Sequence, residues 1–201
     1  MPFSVVSFER IEALKSALGH LVMEWNYAEH RLLSLLAGML RQDEEALRII
    51  TAHMPSDAKI KALQACFSEM EEDILTQSVA WVCAAADELR NWRNFYVHSL
   101  MGTFLATDET EPAQAVTHSL SARGKVIVRK FIVTTDEIHN IANHCMTLSF
   151  FIDSILRFIE YPISSDSMHR ELPLVPPSPP RWEAYLQAQK SAQRRPRSFQ
   201  E

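Results

Sequence analysis

Asp87-Glu88-Leu89-Arg90-Asn91-Trp92-Arg93-Asn94-Phe95-Tyr96-Val97-His98-Ser99 is the stretch on which the reading of this chain turns. Leu75, Val79, Val82, Ala86, Leu89, Trp92 and Tyr96 recur three or four positions apart, the period of one helix face. They predict a long helix from Asp73 to Leu100, with Gly102 placed to end it. Asn94 and His98 stand four residues apart and so share a face. Arg93 precedes His98 by a turn and a half, and its side chain is long enough to reach toward the same place. Arg90-Asn91 repeats the Arg-Asn pair one turn earlier.

Upstream, Phe8 to Leu40 reads as one long amphipathic helix, with Leu14, Leu18, Leu21, Trp25, Ala28, Leu32 and Leu36 on its apolar face and Gly19 as a point where it can bend or split. Asp43 to His53 reads as a short helix. Pro55 and Ser56 open a third, which carries Ile60, Leu63 and Phe67. Downstream the period changes. Val116, His118, Leu120 and Ala122 alternate with polar residues, Arg123-Gly124 reads as a turn, and Lys125 to Val133 reads as a returning strand. Thr103 to Thr107 is a candidate third strand, followed by a loop over Asp108 to Pro112. Thr134 and Glu137 have capping-box spacing, and Ile138, Ile141, Cys145, Leu148, Ile152, Ile155 and Ile159 carry a last helix through to Glu160. The expectation is a mainly α fold: an antiparallel helical bundle over residues 1–161, with a strand-rich insert, a small β-hairpin or meander, over about 101–133.

Beyond Tyr161 the composition shifts. Six prolines between Pro162 and Pro180 make residues 162–201 a Pro-rich linker and a basic, partly helical tail, with Trp182, Tyr185 and Leu186 as the apolar face of a short helix. Residues 181–201 set five basic side chains against Glu183 and Glu201, a net of +3. Such a tail is expected to be separable from the fold, with truncation at Pro162 leaving the thermal transition nearly unchanged.

The 201 residues suffice for one hydrophobic core and an appendage. A formal net charge of -5 argues against a generic basic nucleic-acid coat but leaves room for a local basic groove. No apolar run is long enough for a membrane span, and the N-terminus lacks a signal-peptide pattern, so the expected location is cytoplasmic. Cys66, Cys83 and Cys145 are odd in number and widely spaced, which reads as buried thiols. His139 and His144 lie about 140° apart around a helix, a poor chelating geometry, and no HExxH or Glu-x-x-His pattern accompanies them. His20 and Glu24 share a face, as an ordinary solvated pair does. With four glycines there is no phosphate-cradling loop, and no nucleophile elbow is present. No metal and no cofactor are expected.

Arg93-Asn94-Phe95-Tyr96-Val97-His98, at the end of a long helix in a helical frame, resembles the Arg-Asn-x-x-x-His motif of the HEPN superfamily. The resemblance covers Phe8 to Glu160; the strand-rich insert and the Pro-rich tail lie outside the family's minimal core. It implies a small helical domain, a homodimer in which two motif helices face each other, and metal-independent cleavage of single-stranded RNA in a toxin or defence setting, with an antitoxin protein as a further partner. It implies catalytic roles for Arg93, Asn94 and His98.

The chemistry suits these residue types. A base takes the proton of a ribose 2′-hydroxyl, the oxygen attacks the adjacent phosphorus, and an acid protonates the departing 5′-oxygen; DNA lacks the hydroxyl. Histidine titrates near neutrality and can serve either step. Arg93 offers a planar, permanently charged donor to the phosphate, and Asn94 an orienting amide. Glu29, beside an apolar stripe on the first helix, needs a partner; it either buttresses Arg93 or His98, or is exposed and flanked by Arg31. Arg90 completes the supporting set. Structural readings stand beside these: His98 donating to the last carbonyls or to solvent, and Arg93 salt-bridged to Glu29 or Asp87. Three functions stay open: a HEPN-like endoribonuclease, a catalytically silent HEPN-like binding or regulatory module, and an unrelated helical interaction protein whose working part is the tail.

Overall fold

The computed structural model describes residues 8–68, 74–99, 114–120, 126–160, 174–185 and 187. The chain is mainly α. Its described helices are α1 (Phe8–Leu40), α2 (Glu44–Ile50), α3 (Ser56–Ser68), α4 (Ile74–Ser99) and α5 (Thr135–Glu160). Two short strands, β1 (Gln114–Leu120) and β2 (Val126–Ile132), pair antiparallel, with His118 opposite Val128. The strand and loop expected over 103–112 and the turn at Arg123-Gly124 lie outside the described residues.

α1 and α5 form the spine. Leu14, Ala17, Leu21, Trp25, Ala28 and Leu32 bury one face of α1 against Ile138, Ile141, Cys145, Leu148, Ile152 and Ile155 of α5 and the neighbouring helices. Each fully buried aliphatic side chain of this kind contributes about 1.5–3 kcal/mol of transfer free energy. α1 runs through Gly19 unbroken, because that glycine faces open space and nothing inserts into the helix there. Gly38 lets the two helices approach: a Cβ at this position would lie 3.2 Å from Leu156 Cδ2.

Cross-helix contacts fix the directions. His20 meets His139, Arg31 pairs with Asp153 at 3.0 Å, and Gly38 faces Leu156, in the same order along both helices. α1 and α5 are therefore parallel. α4 runs the other way: Trp81 packs edge-on against Phe151 near one end, and Trp92 and Tyr96 reach Asn140 and Ile141 near the other. The expectation of an antiparallel bundle is corrected for the α1–α5 pair. α4 reverses the direction of α1, and α5 reverses it again.

Local chemistry sets the boundaries. α1 ends where Arg41 adopts a left-handed φ of 51°, with Gln42 N–H donating to the Ala37 carbonyl and Arg41 N–H to Gly38. Asp43 Oδ1 accepts from Ala46 N–H at 2.9 Å and caps α2. α2 stops at Ile50, short of the expected His53, because Thr51 turns its hydroxyl back to the Leu47 carbonyl and Pro55 follows close behind. The capping box at α5 forms: Glu137 N–H donates to Thr134 Oγ1 and Thr134 N–H to Glu137 Oε2. Cys83 and Cys145 are buried free thiols whose pKa values burial pushes up to about 12, so both stay protonated; Cys66 is half-buried. Among the described residues no helix is long and apolar enough to cross a membrane.

Candidate active site at the end of the fourth helix

The last turns of α4 present two different faces. Leu89, Trp92 and Tyr96 point into the molecule, and Phe95 is buried beside them. Arg90, Arg93, Asn94 and His98 occupy the remaining circumference. Arg90 and Arg93 are half-buried, Asn94 is half-buried, and His98 is exposed.

Arg93 and Asn94 meet directly: Arg93 Nη1 donates to Asn94 Oδ1 at 3.0 Å. The amide thus orients the guanidinium without neutralising it. The Nε atoms of Arg90 and Arg93 are both buried and have no hydrogen-bond partner among the described residues. A buried donor left unpaired costs about 1–3 kcal/mol, more when charged. Two cationic groups are therefore under-satisfied one turn apart. His98 shares a helix face with Asn94 but makes no hydrogen bond to another described residue.

The acidic groups offered to Arg93 by the sequence are engaged elsewhere. Asp87 Oδ1 accepts from Arg90 Nη2 at 2.6 Å. Glu29 Oε1 accepts from Lys59 Nζ at 3.0 Å and from Ser56 Oγ at 2.9 Å. The expectation that Glu29 buttresses Arg93 or His98 is corrected. α3 packs against α1 at this level, and Lys59 supplies the cation that a half-buried carboxylate requires. Arg90 does flank the motif, tied to Asp87 on its own helix.

The inward face holds what the sequence reading missed. Residues 174–185 return to α4 as a strap. Trp92 Nε1 donates to the Pro180 carbonyl at 2.7 Å, and Trp182 N–H donates to Glu88 Oε2 at 2.9 Å. Trp182 lies 5.0 Å from Trp92 and 4.8 Å from Phe95, ring centre to ring centre; Tyr185 lies 4.7 Å from Trp92; Phe131 at the end of β2 packs on Phe95 at 4.9 Å. Pro179 is buried. The separable tail is corrected for this segment. Prolines hold the strap extended and lack N–H donors, so its free Pro180 carbonyl suits the indole N–H of a buried tryptophan. The signal was present in the sequence as three aromatic and apolar residues closing a polar tail. Residues 188–201, with most of the tail's basic charge, lie outside the described residues.

His139, His144 and Cys145 do not converge. His139 instead meets His20, Nδ1 to Nδ1 at 3.2 Å, and Glu24 stands 3.7 Å from the far nitrogen of His20. Burial lowers the pKa of His144. Among the described residues no group of three or more His, Cys, Asp or Glu side chains is placed to hold a metal ion. Compared with family models, with characterised proteins and with solved structures, the chain matches none.

Proposed function

We propose that this chain is a HEPN-like, metal-independent endoribonuclease that cleaves single-stranded RNA by 2′-hydroxyl attack, working as a homodimer and acting as a toxin or defence effector. The HEPN-like bundle with its small inserted hairpin is part of the same reading. The observation that carries it is the electrostatic state of Arg93. Asp87 is held by Arg90 and Glu29 by Lys59, while among the described residues Arg93 is steered only by the neutral Asn94. A half-buried guanidinium so placed can turn its Nη donors to an anion that arrives from outside, as a phosphate does.

His98, exposed one turn beyond, carries the proton transfers. In the dimer the His98 of one protomer removes the 2′-hydroxyl proton and that of its partner protonates the 5′-oxygen as the P–O bond breaks, leaving a 2′,3′-cyclic phosphate. Arg93 stabilises the charge that builds on the phosphoryl oxygens. The overall charge of -5 asks that contact with RNA be local to this end of α4.

The test is to incubate purified protein with single-stranded RNA in excess chelator. The expected result is cleavage leaving 2′,3′-cyclic phosphate ends, with His98→Ala reducing the rate by about 10²–10⁴-fold, the range of a lost acid–base group, at an unchanged thermal transition. Wild-type cleavage by His98→Ala, after contaminating nuclease is excluded, overturns the role of the motif. Absence of any cleavage makes the domain a silent binding module.

A further inference from the structure

α5 carries one outward stripe at seven-residue spacing: Asp136, Asn143, Phe150 and Arg157, all exposed. Seven residues make nearly two full turns, so the four stand in a line along the helix. α4 packs on a different side of α5, with Trp81 on Phe151. Phe150 is 58% exposed and Met146, beside it, 37%. α1 continues the same surface. Met146 lies midway between His139 and Asp153, whose partners His20 and Arg31 fix the level of α1. Met23 and Tyr27, 70% and 41% exposed, therefore straddle the level of Met146 on the neighbouring helix.

Tyr27 is held in place. Arg31 Nη2 donates to its hydroxyl at 2.8 Å, the guanidinium lies 4.9 Å from the ring centre, and Arg31 Nε is paired with Asp153 at 3.0 Å. A side chain already fixed loses little freedom when another surface closes over it. Tyrosine, phenylalanine, methionine and arginine are also the residue types that interfaces favour.

The charges along α5 say what covers this face. Asp136 stands in the first turn and Arg157 in the last, about 32 Å apart. Neither is in an ion pair among the described residues. The helix dipole favours these signs at these ends, but Glu137, turned back to the Thr134 N–H, already answers that preference in the first turn. The dipole gives no reason for both charges to share the stripe of Phe150. Asp136 and Arg157 are equidistant from the point between Met146 and Thr147, and so are Asn143 and Phe150. With a second α5 laid antiparallel about that point, each Asp136 meets an Arg157, each Phe150 lies over an Asn143, and the two Met146 side chains meet at the centre. The stripe is complementary to itself, as a two-fold contact requires.

We propose that the outer face of α1 and α5 pairs with the same face of a second copy of this chain, the two α5 helices antiparallel. This contact is separate from the pairing of motif helices in the RNA-cleavage reading, because Arg93 and His98 are on α4. A chain that uses both faces assembles beyond a dimer.

The test is the mass of the full chain by sedimentation equilibrium in low salt, where exposed charges are least screened. Phe150→Glu, a change at an exposed position, should cut the main species at tens of micromolar to half its mass or less, whether or not the α4 faces also pair. Asp136→Arg and Arg157→Asp make the sharper test. Each alone sets like charges together at both ends of the contact and should weaken self-association by about tenfold. Mixed in equal amounts, the two variants should associate with each other about as tightly as the wild type does with itself, since every arginine then faces an aspartate. Rescue of this kind does not follow from lost helix stability or from a different partner. A monomeric wild type at tens of micromolar, a mass unaltered by Phe150→Glu, or a mixture that associates no better than either variant alone would each overturn the proposal. His98→Ala should self-associate like the wild type, so this result and the one on RNA cleavage stand apart.

Discussion

The two faces of the last turns of α4 solve opposite problems with the same few residues of chain. On the inward face Trp92, Phe95 and Tyr96 are buried, and the strap docks there through two hydrogen bonds: the Pro180 carbonyl takes the Trp92 N–H, and Glu88 of α4 takes the Trp182 N–H. On the other face Arg90 and Arg93 hold charge at the surface of the same packing, with an Nε on each left unpaired among the described residues. One face is closed by the protein's own chain. The other is left incomplete. Natural interiors pair their polar groups; among the described residues the exceptions are the Tyr96 hydroxyl on the inward face and the Nε atoms of Arg90 and Arg93 on the other.

The largest effect expected from breaking this contrast is at Arg93. Arg93→Lys keeps the charge but loses the planar fork of donors. Cleavage should fall by about a hundredfold, as for removal of a donor that stabilises developing charge, while the thermal transition stays within a degree or so of the wild type. A structural arginine would behave the other way, losing stability first and activity only with it. Matched melting curves and initial rates on the same preparations separate the two.

Next comes the strap. Trp182→Ala removes a half-buried ring that packs on Trp92 and Phe95. It should lower stability by about 2 kcal/mol, below the 3–5 typical of fully buried aromatic truncations, as read by urea denaturation. The cleavage rate of the folded fraction should not change. An equal loss in rate would mean that the strap reaches the Arg93–Asn94–His98 face after all.

The apolar periods of α1, α4 and α5 were legible because burial imposes the 3.6-residue repeat directly on composition. The Thr134–Glu137 cap was legible because its partners are three residues apart. Arg93, Asn94 and His98 could be placed on one helix end for the same reason, although their chemistry came from resemblance and not from spacing. What could not be read were partners distant along the chain. Trp92 announced a buried indole that needs an acceptor, but nothing local said that Pro180, 88 positions later, would provide it. Prolines and sparse apolar residues argued for a solvated tail, and a strap that docks through one carbonyl, one N–H and two rings has too few apolar positions to alter that composition. The pairing of α1 with α5 in parallel was hidden likewise, since helix direction depends on the connections and not on the faces.

Asn94 gives the third test. Asn94→Ala removes the neutral acceptor that steers Arg93 Nη1. Activity should fall by about tenfold, the cost of roughly one hydrogen bond to a charged group, between the severe loss at Arg93 and a slight one at Arg90. A drop in kcat with KM unchanged would mark a positioning role, because the guanidinium remains available to bind phosphate but is no longer aimed.

The smallest effect is expected at Glu29, and it bears on whether the open face is truly open. The Glu29 carboxylate lies with Lys59 and Ser56, both side chains of the ion pair being largely covered, 24% and 16% exposed. Glu29→Gln keeps an oxygen that can accept from Lys59 and Ser56 and loses only the charge. Stability should fall by about 1 kcal/mol or less, in the range of modest ion pairs. Glu29→Ala should cost more, because Lys59 is then left half-buried without an acceptor. Neither change should alter RNA cleavage by the folded protein, since Arg93 draws nothing from this carboxylate. Were Glu29→Gln to slow cleavage tenfold at nearly wild-type stability, Arg93 would be leaning on a carboxylate during turnover, and the contrast between a closed aromatic face and an unneutralised cationic one would fail at its central residue.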